Sequence, residues 1–131
     1  MQMKYIKYTF MLMILTVTLS MLNIDAIGIG AVTVDNLGLY YTSGHQKSTS
    51  SPQYASKTSC YGVVSGTNLS VQGRGIKVSD NSGKGNWVNL SSSARELTGE
   101  RMKTANSQYK LNLRVSNSLE SCRFVGNWQI N

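Results

Sequence analysis

From Tyr109 to Val115 apolar and polar residues alternate without a break: Tyr109, Leu111, Leu113 and Val115 against Lys110, Asn112 and Arg114. Beyond Asn117-Ser118-Leu119-Glu120, a second file follows with the same period: Cys122, Phe124, Gly126, Trp128 and Ile130. A period of two is that of a strand with one dry and one wet face, so this stretch predicts two strands. Setting Ser116 against Ser121 gives a hairpin in which Val115 faces Cys122, Leu113 faces Phe124 and Tyr109 faces Trp128. That register gathers the aromatics on one face. It also sets Arg114 against Arg123 on the wet face, where like charges repel. A register off by two, side chains splayed into water, or a bound anion would each relieve the conflict.

The rest of the chain fits the same class. Val32–Val34 and Leu37–Thr42 predict one strand or two short ones, and Tyr54–Val64 a strand carrying Cys60. Leu69 and Val71 alternate with polar neighbours, as do Ile76 and Val78 at opposite parity, with Gly73-Arg74-Gly75 between them. A parity change across a glycine pair predicts a β-bulge or a tight turn. Asp80–Gly85 reads as a turn, and a strand begins at Trp87. Ser93-Ala94-Arg95-Glu96 matches a capping box with Gly99 as a stop, which predicts at most one helical turn or else a polar loop. Ser43–Pro52 is polar, contains the single proline and reads as an exposed loop. Without a long amphipathic helix, the expected fold is an all-β, small antiparallel β-sandwich of about six to eight strands.

The first 30 residues read as a signal peptide. Lys4 and Lys7 precede an apolar run from Phe10 to Leu22, too short for the roughly 20 residues that span a bilayer. Ala26, Gly28 and Gly30 supply small residues for cleavage between about 26 and 31. Residues 31–131 are then one exported domain, secreted and with no membrane-spanning segment after cleavage. Past Ala26 the chain has 11 Lys and Arg against 5 Asp and Glu, a net charge of +6. Such a charge favours anionic partners or simply keeps a secreted protein soluble. Cys60 and Cys122, the only cysteines, are expected to pair in an oxidising compartment.

Catalytic signatures are sparse. His45 is the only histidine, and no Gly-x-Ser-x-Gly elbow is present. Glu96 and Glu100 offer a carboxylate pair of unknown geometry. A small secreted hydrolase such as a ribonuclease, working through His45 or Glu96, has the residue types but no supporting spacing. Gly73-x-Gly75 leads into a strand rather than a helix, so it is not a dinucleotide site. Too few aromatics interleave the basic residues for nucleic-acid binding. No metal site or cofactor is expected.

Four short segments carry a family resemblance: Tyr54-Ala-Ser-Lys57-Thr58 leading to Val63-Val64, Gly85-Asn-Trp87, Arg95-Glu-Leu97-Thr98, and Tyr109-x-Leu111-x-Leu113 with Val125-Gly126-Asn127-Trp128. The first three resemble the secreted lactococcin-type bacteriocins of Gram-positive bacteria, and the last resembles the small exported proteins that accompany their transport systems. The resemblance implies a β-sandwich, export, and antagonism aimed at another cell's envelope, with a pyrophosphate-bearing wall precursor as target. It implies no catalytic residues. The cysteine pair, and the lack of a region dense in Tyr and His, depart from that family.

The sequence therefore predicts a non-enzymatic cationic β-domain that binds an anionic cell-envelope component, a wall precursor or a lipid headgroup. Lys110, Arg114 and Arg123 are the candidate contacts. The alternative is a structural or accessory extracellular protein that assembles through exposed strand edges.

Overall fold

A computed structural model describes residues 26–79 and 83–131. Most of the expected signal peptide (residues 1–25) and the first half of the expected turn (residues 80–82) lie outside the described residues. The described residues contain nine strands and no helix: β1 (Ala26–Val34), β2 (Tyr40–Tyr41), β3 (His45–Lys47), β4 (Tyr54–Gly62), β5 (Val71–Lys77), β6 (Val88–Asn89), β7 (Arg95–Glu96), β8 (Ser107–Val115) and β9 (Cys122–Gln129). They form two antiparallel sheets. The first has the order β1-β9-β4-β7; in the second, β8 is flanked by β5, which pairs β6, and by β2 and β3. Residues 26–30, expected to belong to the leader, form the start of β1, and residues 26–29 pair with β9.

Both apolar files of the C-terminal third point into one core. Tyr109, Leu111, Leu113, Cys122, Phe124 and Trp128 are all fully buried, but they come from different sheets. β8 pairs with β5, β2 and β3, whereas β9 pairs with β1 and β4. The hairpin read from the alternation is therefore incorrect. Residues 116–121 carry the chain from one sheet across to the other, and the two files meet across the core rather than side by side. Alternation fixes which residues face the interior, and a sheet-to-sheet crossing satisfies it as well as a hairpin does. The arginine conflict disappears with the hairpin, because Arg114 and Arg123 stand on the outer faces of different sheets.

The glycine pair also behaves differently from the expectation. β5 runs straight through Gly73 and Gly75, paired with β8 without a register shift from Val71 to Lys77. Both glycines face the core, where a Cβ on Gly73 would lie 3.2 Å from Leu90 and one on Gly75 would lie 2.7 Å from Met102 Sδ. Neighbouring large side chains fill those positions, so a continuous strand looks interrupted in sequence. The register shifts fall elsewhere, between Ile29 and Val32 in β1 and between Lys57 and Ser59 in β4. Both fall beside Val125 and Gly126 of β9, the strand between β1 and β4, where a bulge on each neighbour takes up the extra residues.

Two polar segments are more ordered than their composition suggests. Within the expected loop 43–52, His45–Lys47 forms β3. Lys47 is fully buried, and its Nζ donates to the Ile130 carbonyl at 3.0 Å. Burial lowers its pKa. Around the expected capping box there is no helical turn; Arg95–Glu96 is strand β7, paired with Tyr54–Ala55 of β4. Buried Gln53 closes the core beneath it, accepting from Trp128 Nε1 at 3.1 Å and donating to the Met102 carbonyl at 2.9 Å.

Cys60 and Cys122 form the expected disulfide, with Cα atoms 5.6 Å apart. It joins adjacent strands β4 and β9, where Cys60 lies level with Phe124 and Gly62 with Cys122.

Candidate anion-binding face

On β5 and β8 the inward residues are apolar or glycine, so Gln72, Arg74, Lys110, Asn112 and Arg114 are left on the outer face. The register sets Gln72 opposite Arg114, Arg74 opposite Asn112, and Ile76 opposite Lys110. Each amide holds the arginine across from it. Arg114 Nε donates to Gln72 Oε1 at 2.8 Å, and Arg74 Nε donates to Asn112 Oδ1 at 2.9 Å. Asn112 is itself fixed, since its Nδ2 donates to the Gly38 and Tyr40 carbonyls at 2.9 and 2.8 Å. Gln72 is anchored in turn by donation to Asn89 Oδ1 at 3.0 Å.

Trp87, just before β6, completes the cluster. The guanidinium carbons of Arg74 and Arg114 each lie 4.2 Å from its ring centroid. Each contact is worth about 0.5–1 kcal/mol at a partly exposed site. Gly38, at φ +73°, lets the backbone close over the ring edge, where a Cβ would sit 3.4 Å from Trp87 Cζ2. Both arginines thus commit Nε and a flat face to the protein, leaving terminal N–H groups for an acceptor.

No carboxylate lies within ion-pair distance of Arg74, Lys110 or Arg114 among the described residues; the Lys103–Glu96 pair at 3.5 Å is elsewhere. The Arg74 pKa is lowered chiefly by burial, with Tyr41 raising it and the Arg114 charge lowering it. An arginine so perturbed stays protonated at neutral pH, and an approaching anion would relieve the repulsion. A groove of about 530 Å³ flanks Arg114 and is lined also by Asn36, Gln72 and Leu119. A second, of about 390 Å³, lies between Tyr41, Lys84 and Lys110.

Of the three residues expected to bind an anion, Lys110 and Arg114 share this face. Arg123 does not: it is on β9, between Thr33 and Tyr61, on the outer face of the other sheet. Arg74 escaped the sequence reading because a bulge expected there obscured its parity, and the parts played by Gln72, Asn112 and Trp87 depend on strand pairing. Read as one strand from Val71 to Lys77, β5 places Arg74 on the wet face.

The residues considered for catalysis do not converge. His45 pairs with β8 in the second sheet and packs edge-on against Trp128, ring centroids 5.7 Å apart. Glu96 is on β7 at the edge of the first sheet and pairs with Lys103. No group of three His, Cys, Asp or Glu able to hold a metal occurs among the described residues. No family model, curated protein or solved structure matches the chain.

Proposed function

We propose that this is a secreted cationic β-domain that binds an anionic component of a cell envelope through the outer face of the β5–β8 sheet. The observation that carries the reading is the pair of arginines stacked on Trp87, fixed by Gln72 and Asn112 and without a carboxylate partner among the described residues. Immobilised guanidinium groups with free terminal N–H groups suit phosphate or carboxylate oxygens, and little side-chain entropy remains to be lost on binding. Lys110 extends the positive surface along the same strand. The disulfide suits an oxidising compartment, and the apolar run at Phe10–Leu22 suits export.

The shared ligand chemistry is a phosphate-bearing surface, whether a wall precursor or a lipid headgroup. Antagonism of another cell is the finer reading, and it draws on the resemblance to lactococcin-type bacteriocins. Clearing of Gram-positive lawns by the disulfide-bonded protein supports antagonism, and its absence leaves an accessory surface role. The binding reading is tested by adhesion to isolated cell walls and anionic vesicles. Arg74→Gln with Arg114→Gln is expected to weaken adhesion about 30-fold, at about 1 kcal/mol per arginine. Unchanged adhesion would remove this face from consideration.

A further inference from the structure

The two sheets are bridged at one end by three loops that are stapled together. Residues 35–39 leave β1 and fold over Asp35, whose Oδ1 accepts from the Leu37 and Leu39 amides at 2.9 and 3.2 Å. The Asp35 carbonyl accepts from Val115 N at 2.8 Å, which ties this loop to the start of residues 116–121. Glu120 in that second loop accepts from both Val64 N and Ser65 N at 2.6 Å, and Val63 N donates to the Ser121 carbonyl at 2.9 Å. Residues 62–68, the third loop, are thereby held against the second.

What these loops display is aliphatic. Leu119 is 90 % exposed, Val64 89 %, Leu37 72 % and Leu39 66 %. Val63 and Tyr61 beside them are also more than half exposed. Scattered exposed apolar residues are ordinary, but several on neighbouring loops at one end are a contact surface. Both carboxylates at this end, Asp35 and Glu120, are turned onto backbone amides. The arginines lie around the tips: Arg114 two residues before Ser116, and Arg123 two residues after Ser121 and level with Tyr61. An apolar tip flanked by cations and a tyrosine matches the gradient of a membrane interface, with acyl chains beneath and phosphates around.

We infer that the loop end carrying Val64 and Leu119 inserts into an anionic phospholipid surface, with Arg114 and Arg123 on the headgroup phosphates. The inference rests on the anionic-envelope reading and chooses lipid as the source of the phosphate. It gives Arg123 a place at the same surface as Arg114, although the two stand on different sheets.

The test uses the disulfide-bonded protein from Ala26 onward. That form contains every core residue described, and it lacks the Phe10–Leu22 run that would itself bind lipid. Co-sedimentation is measured with phosphatidylcholine vesicles containing about 30 % phosphatidylglycerol, with neutral vesicles, and with isolated cell walls. Binding to the anionic vesicles is expected, with at least about tenfold weaker binding by Val64→Asp with Leu119→Asp. Val64→Ser with Leu119→Ser repeats the test without added charge, and melting temperatures report folding. Equal vesicle binding by folded tip variants, or wild-type binding to walls but not vesicles, overturns the inference and leaves the arginine face standing. Binding to neither overturns both.

Discussion

Cutting the Cys60–Cys122 bond is expected to destabilise the domain by about 4 kcal/mol. The cysteines are 62 residues apart in sequence, and a loop of that length gives this value on the chain-entropy argument. Their place in the fold explains what the bond constrains. β4 and β9 are already neighbours, but the chain between them makes an excursion that contains β5, β6, β7 and β8. Without the bond, the unfolded excursion gains freedom while the native pairing of β4 and β9 remains. Native contacts therefore change little, and the effect resides in the unfolded ensemble. For a domain of about 100 residues, 4 kcal/mol corresponds to roughly 15–20 °C in melting temperature. Thermal and urea unfolding of the oxidised protein, the reduced protein, and Cys60→Ala with Cys122→Ala would measure it. Reduction separates the cross-link from the side-chain change. A reduced protein that melts within about 3 °C of the oxidised one would refute the reasoning.

Gly126→Ala is expected to cost about 3 kcal/mol or more by overpacking, measured as a lowered urea midpoint. A Cβ there would run into the Ser56 carbonyl and lie 2.6 Å from Phe124 Cζ. Glu120 gives a pH dependence: hydrogen bonds from the Ser65 backbone and side chain, then from the Val64 backbone, hold its pKa below the usual carboxylate range. With the folded pKa depressed, its contribution is present above the unfolded pKa and is lost as pH falls through the folded one. The stability difference between wild type and Glu120→Gln should therefore shrink on acidification, as should the protection of the Val64 and Ser65 amides in hydrogen exchange.

Legibility in the sequence followed the kind of physics involved. The alternation at Tyr109–Val115 and Cys122–Ile130 identified the buried residues, because burial is written in the side-chain period. Strand partnership is not written there, so the same pattern suits a hairpin as well as the crossing between sheets that the chain makes. Gly73 and Gly75 hid a continuous strand, since a glycine on the core face gives no apolar signal and its space is taken by Leu90 and Met102. The buried Lys47 was invisible for a related reason: its solvation is replaced by the carbonyls of residues 130–131, far away in sequence. At the candidate face, Lys110 and Arg114 were found from the wet side of a clear strand. Arg74 and Trp87 depend on the pairing of β5 with β8 and with β6, which directly follows the indole.

The most direct test of the arginine face is the salt dependence of adhesion to an anionic envelope surface, compared between wild type and Arg74→Gln with Arg114→Gln. Raising ionic strength from about 0.05 M to about 0.5 M shortens the reach of exposed charges severalfold. Wild-type affinity should fall steeply over that range, and the double variant should start weaker and change less. Equal affinity and equal salt dependence in the two proteins would contradict binding through the Arg74–Trp87–Arg114 face.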